Sequence, residues 1–129
     1  MAGFDWNTFY SLFKAKMNGI STVGRYTMPK KPNYPYTDVA LSDISGGNYD
    51  LQNNESSQIP LITLNVYGNN YDDAKCLEVC MAAKEIMLSY GFQCITGPKK
   101  IDNTDPAVAR WVARYRRIFG AGDELRKLN

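Results

Sequence analysis

Apolar and polar positions alternate along this chain in a few distinct regimes. Trp6, Phe9, Tyr10, Phe13, Met17 and Ile20 recur at helical spacing. Asp5 suits the cap before them and Gly19 the left-handed residue after them, so residues 1–20 read as an N-terminal helix. Residues 24–35 carry Pro29, Pro32, Pro35 and the pair Lys30-Lys31, which break any period and read as an extended linker. Residues 36–44 read as a strand with imperfect alternation. Residues 59–67 are the clearest strand: Ile62, Leu64 and Val66 alternate with Leu61, Thr63 and Asn65, and β-branched types abound. Pro60 is expected at an edge or among the first residues, because it cannot donate to a ladder. Between these strands, residues 45–58 are polar and rich in Gly and Asn, and predict a long, mobile hairpin loop of functional weight.

The longest helix is expected over 72–90. Asp72 and Asp73 favour its positive N-terminus and Gly91 can follow its end. Its polar stripe, Lys75, Glu78, Glu85 and Ser89, is narrow, and apolar residues fill most of the remaining surface. Such a helix needs cover on more than one side, by the sheet and by a neighbour. Leu77, Met81, Ile86 and Leu88 are expected to face the sheet. Residues 92–96 predict a short strand ended by Gly97-Pro98. Residues 108–119 satisfy a helical stripe through Val108, Trp111, Val112, Tyr115, Ile118 and Phe119, and an alternating strand equally well. Their Trp, Val, Tyr, Ile and Phe content favours a strand, entered through one helical turn at Asp105-Pro106. The expected architecture is α+β: a single small domain over 1–129, with a mixed or antiparallel sheet of about four strands and two flanking helices. Residues 36–119 supply the sheet and central helix, and residues 120–129 a C-terminal tail.

Length and composition agree with one core, since 129 residues with 44% apolar and 22% charged content is ordinary for a globular domain. No apolar run approaches the roughly 20 residues that span a bilayer, and the N-terminus has its charges in the reverse order of a signal peptide, so no membrane partner is expected and residence in the compartment of synthesis is. The chain has no histidine, which removes Ser-His and Cys-His nucleophile pairs, most zinc sites and the commonest general base. Cys76, Cys80 and Cys94 are an odd set that fits reduced, buried thiols better than a disulfide framework or a zinc site. Asp72 and Asp73 read as helix-capping residues rather than a carboxylate cluster with Asp50 or Glu55. Gly46-Gly47 and Gly120-Ala121-Gly122 lack the spacing of a phosphate loop. No catalytic, cofactor-binding or metal-ligating residue is therefore assigned, and no enzyme activity is expected.

Two features point to contacts instead. Tyr26, Tyr34, Tyr36, Tyr49, Tyr67 and Tyr71 concentrate aromatic area at loops and strand ends, where tyrosine serves protein contacts well. Arg110, Arg114, Arg116 and Arg117 form the strongest local charge bias, with no acid between Pro106 and Gly120. On a strand, Arg110, Arg114 and Arg116 share one face, able to meet phosphates or acidic groups of another subunit, or simply solvent. That face has no interleaved aromatic, so a stacking platform for single-stranded nucleic acid is not expected. The acids of the loop, Asp50 and Glu55, together with Arg110, Arg114, Arg116 and Arg117, are the candidate interface residues.

Taken in order, the run Asn48-Tyr49-Asp50-Leu51-Gln52-Asn53-Asn54-Glu55, the strand at 59–67, a helix with Gly91-Phe92, and the run from Arg110 to Gly120 followed by Gly122-Asp123 resemble one family. They are similar to the tail terminators and related tail-completion proteins of tailed bacteriophages, also called minor capsid or tail-to-head joining proteins. The resemblance covers about residues 34–123. It implies a mixed sheet flanked by helices, assembled as a homo-hexameric ring that caps the head-proximal end of the tail tube. It further implies contacts with the tube protein and the head connector, DNA passing through the lumen without sequence-specific binding, and residence in the virion neck after synthesis in the host cytoplasm. Another neck protein of the same particle, a head-completion or connector subunit, fits the same pattern. A small nucleic-acid-binding module using the strand at 110–117 is the alternative of a different class.

Overall fold

Each element forms where local chemistry directs it. In the computed structural model, which describes residues 4–25, 33–46, 57–69, 72–103, 105 and 107–120, helix α1 spans Trp6–Lys16. The Asp5 carboxylate accepts from the backbone N–H groups of Asn7 and Thr8 at 3.1 and 3.3 Å, which satisfies donors the helix leaves unpaired. Helix α2 spans Asp73–Ser89, and its Asp72 cap accepts from the Lys75 N–H. Gly91 follows at φ 79°, the left-handed conformation that ends the helix without a Cβ penalty.

The strands are β1 (Thr22–Arg25), β2 (Tyr36–Gly46), β3 (Ser57–Gly68), β4 (Gln93–Ile101), β5 (Ala109–Arg116) and β6 (Phe119–Gly120). They make one mixed sheet in the order β1-β2-β3-β5-β4, with β6 added beside the start of β3. Only β1 runs parallel to its neighbour; β2, β3, β5 and β4 are antiparallel in turn. The protein is thus a small α+β domain. The ambiguous segment is a strand, entered through a turn in which the Val108 N–H donates to the Asp105 carbonyl.

Several boundaries depart from expectation: α1 covers only Trp6–Lys16, β2 runs on to Gly46 and β3 starts at Ser57. The start of the supposed linker, Gly24 and Arg25, belongs to β1, which exists because it lies against β2 with Thr22 opposite Tyr36. Four residues carry no period to detect. Strand β4 does not stop at Gly97-Pro98 but runs through them to Ile101. The ladder to β5 skips between Thr96 and Lys99, and Gly97 occupies this irregularity at φ 89°, where a Cβ would also meet the Val112 carbonyl. Pro60 lies four residues into β3, facing Ile44 of β2. On its other side the ladder to β5 begins only at Leu61 and that to β6 ends at Gln58, so its missing N–H interrupts neither. The hairpin closes to Gly46 opposite Gln58, which leaves residues 47–56 of the expected loop outside the described residues.

Register sorts the side chains. Thr37, Val39 and Leu41 of β2 stand opposite Val66, Leu64 and Ile62 of β3, which stand opposite Trp111, Ala113 and Tyr115 of β5. These share the core with Phe9, Phe13 and Met17 of α1 and with Cys76, Val79, Cys80, Ala83 and Met87 of α2. Both helices thus cover one face of the sheet. An aromatic group, Phe4, Phe9, Phe92 and Phe119, closes the end where α1 meets the strand after α2, with ring centroids 5.4 to 6.2 Å apart. The packing face of α2 differs from expectation: Leu77, Met81 and Leu88 are 40%, 47% and 47% exposed, and the smaller Cys76, Cys80 and Ala83 face the sheet instead.

Candidate functional site

The face of the sheet turned away from the helices carries most of the candidate residues. Its strand-to-strand rows follow from the register: Tyr36, Tyr67, Arg110 and Ile101; Asp38, Asn65, Val112 and Lys99; Ala40, Thr63, Arg114 and Thr96; Asp43, Leu61, Arg116 and Gln93. No described helix or strand lies over it. Arg110, Arg114 and Arg116 do share this face. Arg114 and Arg116 are exposed, while Arg110 is half-buried. The Arg110 Nε donates to Asn65 Oδ1 at 3.1 Å, and its guanidinium lies 5.7 Å from the centre of the Tyr67 ring. Burial pushes the phenols of Tyr67 and Tyr36 up from their ordinary values. A cleft of about 340 Å³ opens beside Arg110, between Ile101, Asp102 and Val108.

Arg117 does not belong to this set. It is 8% exposed, its guanidinium donates to the Tyr90 carbonyl at 2.6 Å, and it lies 4.0 Å from the centre of the Phe119 ring. The alternation that puts Ala113 and Tyr115 on the core side carries on to Arg117, the residue after β5, and turns it away from Arg110, Arg114 and Arg116. Arg117 ties the end of α2 to the chain after β5. Asp50 and Glu55 lie outside the described residues, as do Tyr26, Tyr49 and Tyr71. The absence of aromatics expected on the arginine face is corrected as well: β3 places Tyr67 beside Arg110, with Tyr36 next in the row at 6.4 Å between ring centres. Reading one strand at a time cannot find a ring contributed by its neighbour.

Lys99 is the cation that sequence reading missed. Because β4 continues through Gly97-Pro98, Lys99 stands opposite Val112 and shares the arginines' face. Its neighbour Lys100 stands opposite Trp111 on the helix side, where Asp73 holds both: Lys100 Nζ donates to Asp73 Oδ2 at 2.8 Å and Trp111 Nε1 to Oδ1 at 3.0 Å. Those two hydrogen bonds, from Lys100 first and then Trp111, hold the Asp73 carboxyl below its ordinary range. Asp73 therefore does more than favour the helix terminus. It pins α2 over β4 and β5.

That anchor also orients the uncovered flank of α2. Leu77, Met81, Lys84 and Leu88 follow Asp73 at helical steps, so they share the side of α2 that leans toward β4, an edge strand. Ile95 of β4 is itself 50% exposed. The result is an apolar strip along one edge of the domain.

Among the described residues, neither surface brings together groups suited to acid–base or nucleophilic chemistry. Cys76, Cys80 and Cys94 are free. Burial pushes the Cys76 thiol up to about 11 and the Cys80 thiol up to about 12, so both are neutral at physiological pH. No group of three or more His, Cys, Asp or Glu side chains among the described residues is placed to hold a metal ion. No described helix is long and apolar enough to cross a membrane. No family model matches the chain, and no curated protein matches it.

Proposed function

We propose that this chain is a structural subunit that assembles with copies of itself into a ring, as a tail terminator or close neck relative of a tailed bacteriophage. The observation that carries the assembly part is the α2 strip. Leu77, Met81 and Leu88 each leave 40% or more of their surface in water on one flank of a helix whose other side is fully packed. A monomer gains nothing from aligning these residues, whereas a neighbouring subunit would remove them from water at about 25 cal/mol per Å². Edge strand β4, beside that strip, offers backbone groups to the same neighbour.

The identity of the ring rests on the ordered resemblance of residues 34–123 to tail terminators. In that reading the tube protein and the head connector dock on opposite ends of a hexamer, and the particle resides in the virion neck.

Electron microscopy of the purified protein, alone and mixed with phage tail tubes, tests this. Six-fold rings, and density added at one end only of each tube, are the expected result. Unlabelled tube ends and particles the size of one chain would overturn it.

A further inference from the structure

The cations on the outer face of β4 and β5 are regularly spaced. Arg110, Arg114 and Arg116 leave a gap at Val112, and Lys99, directly opposite Val112, fills it from the next strand. Measured along β5, one positive charge thus occurs at every two-residue step from 110 to 116, about 6.6 Å apart over about 20 Å, with Lys99 set aside by one strand spacing of about 4.8 Å. The other described positions of β4 and β5 on this face are Gln93, Thr96, Ile101 and Val112, and the nearest acids of the face, Asp38 and Asp43, stand on β2, two strands away from β5. None of the four cations forms an ion pair among the described residues, the pairs being Lys75 with Glu78 and Lys100 with Asp73.

We propose that this row is a contact surface for the phosphate backbone of duplex DNA, read without regard to sequence. A duplex backbone presents a dense, regular track of phosphate charges whatever its sequence, and a regular row of cations with no acid inside it is suited to follow such a track. An acidic protein surface fits less well. Protein contacts centre on apolar or aromatic area with mixed polar rims, and the exposed Leu77, Met81 and Leu88 lie on the helix side instead. Single strands are disfavoured because the adjoining rings, Tyr36 and Tyr67, are fully and half buried. Asn65, the neighbour best suited to read a base, is only 9% exposed and already accepts from Arg110. The proposal deepens the ring reading by assigning the side of each subunit that meets the DNA in the lumen, and it rests on that reading for the DNA's presence.

The test needs no ring. The full chain is titrated against a labelled 20-base-pair duplex by fluorescence anisotropy at several salt concentrations. Four phosphate contacts per subunit predict a slope of log affinity against log salt of about −3.6, and each cation removed should take about 0.9 from it and weaken binding about eightfold at 0.1 M salt. Lys99→Gln, Arg114→Gln and Arg116→Gln, singly and combined, should do this equally on unrelated duplex sequences. Lys14→Gln on α1 should change neither quantity, and circular dichroism should show every variant folded. Binding whose slope is untouched by the triple variant, or no binding at low salt, overturns the proposal even if rings form. A slope that falls as stated in a protein that never forms rings sinks the ring reading and leaves this surface standing. If the triple variant instead changes only self-association, the row faces an acidic patch of another subunit and the DNA assignment is wrong.

Discussion

The two faces of strand β5 show how one alternation produces two different kinds of surface. Ala109, Trp111, Ala113 and Tyr115 point to the helices, and each is wholly or largely enclosed. Arg110, Arg114 and Arg116 point the other way, and there only Val112 is buried. On the first face, shape decides what can be replaced, because each side chain touches others on all sides. On the second, charge decides, because exposed cations are free to meet a partner and contribute little to the fold. A mutation should therefore reveal its face by what it damages: stability on one side, association on the other.

The largest expected effect lies at the centre of the covered face. Phe9→Ala removes a fully buried ring that contacts Phe4, Phe92 and Tyr90, and should lower unfolding free energy by about 3–5 kcal/mol in urea denaturation. Arg114→Gln should stay within about 0.5 kcal/mol of the parent in the same experiment. Next comes Arg117→Gln, which leaves the Tyr90 carbonyl without its charged donor. A loss of about 1.5–3 kcal/mol is expected, the range for hydrogen bonds to charged groups. Equal costs at Arg114 and Arg117 would break the division drawn between them.

An effect of a different kind appears in alkali. The folded-state values of Cys76 and Cys80, raised by burial to about 11 and about 12 from 9.0, mean that the folded protein keeps protons the unfolded chain releases. Their contribution is complete below about pH 9 and is lost as pH rises through about 11 and 12. Urea midpoints measured from pH 8 upward should fall across that window, and less steeply in Cys80→Ala than in the parent. A midpoint independent of pH there would mean that the thiols are open to solvent.

Much of this arrangement was legible in the sequence, and the exceptions share a cause. The caps Asp5 and Asp72, the terminator Gly91 and the alternation around Ile62, Leu64 and Val66 act within a few residues, so the two helices and central strands could be read directly. Strand β1 could not, because four residues become a strand only by lying beside β2. Lys99 was hidden because Gly97-Pro98 looks like a terminator but sits in a ladder irregularity. The buried side of α2 was misjudged because apolar residues surround that helix. Periodicity is silent there, and the choice fell to the small Cys76, Cys80 and Ala83, which suit close contact with the sheet, over the bulkier Leu77 and Leu88. Of the candidate interface, Arg110, Arg114 and Arg116 were legible from alternation alone, and the same alternation separates Arg117 from them and puts it on the core side.

The exposed side of α2 gives the most direct test of the central claim, that this chain is built to assemble. Light scattering on the eluting peak, across a range of protein concentrations, should give the wild type a mass rising toward six times the 14.5 kDa of one chain. The double variant Leu77→Asp, Met81→Asp should remain at one chain while circular dichroism shows it still folded, since the two side chains are 40% and 47% exposed in the isolated domain and neither belongs to its buried core. A wild type that stays at one chain throughout, or a double variant that associates as well as the parent, would contradict the account.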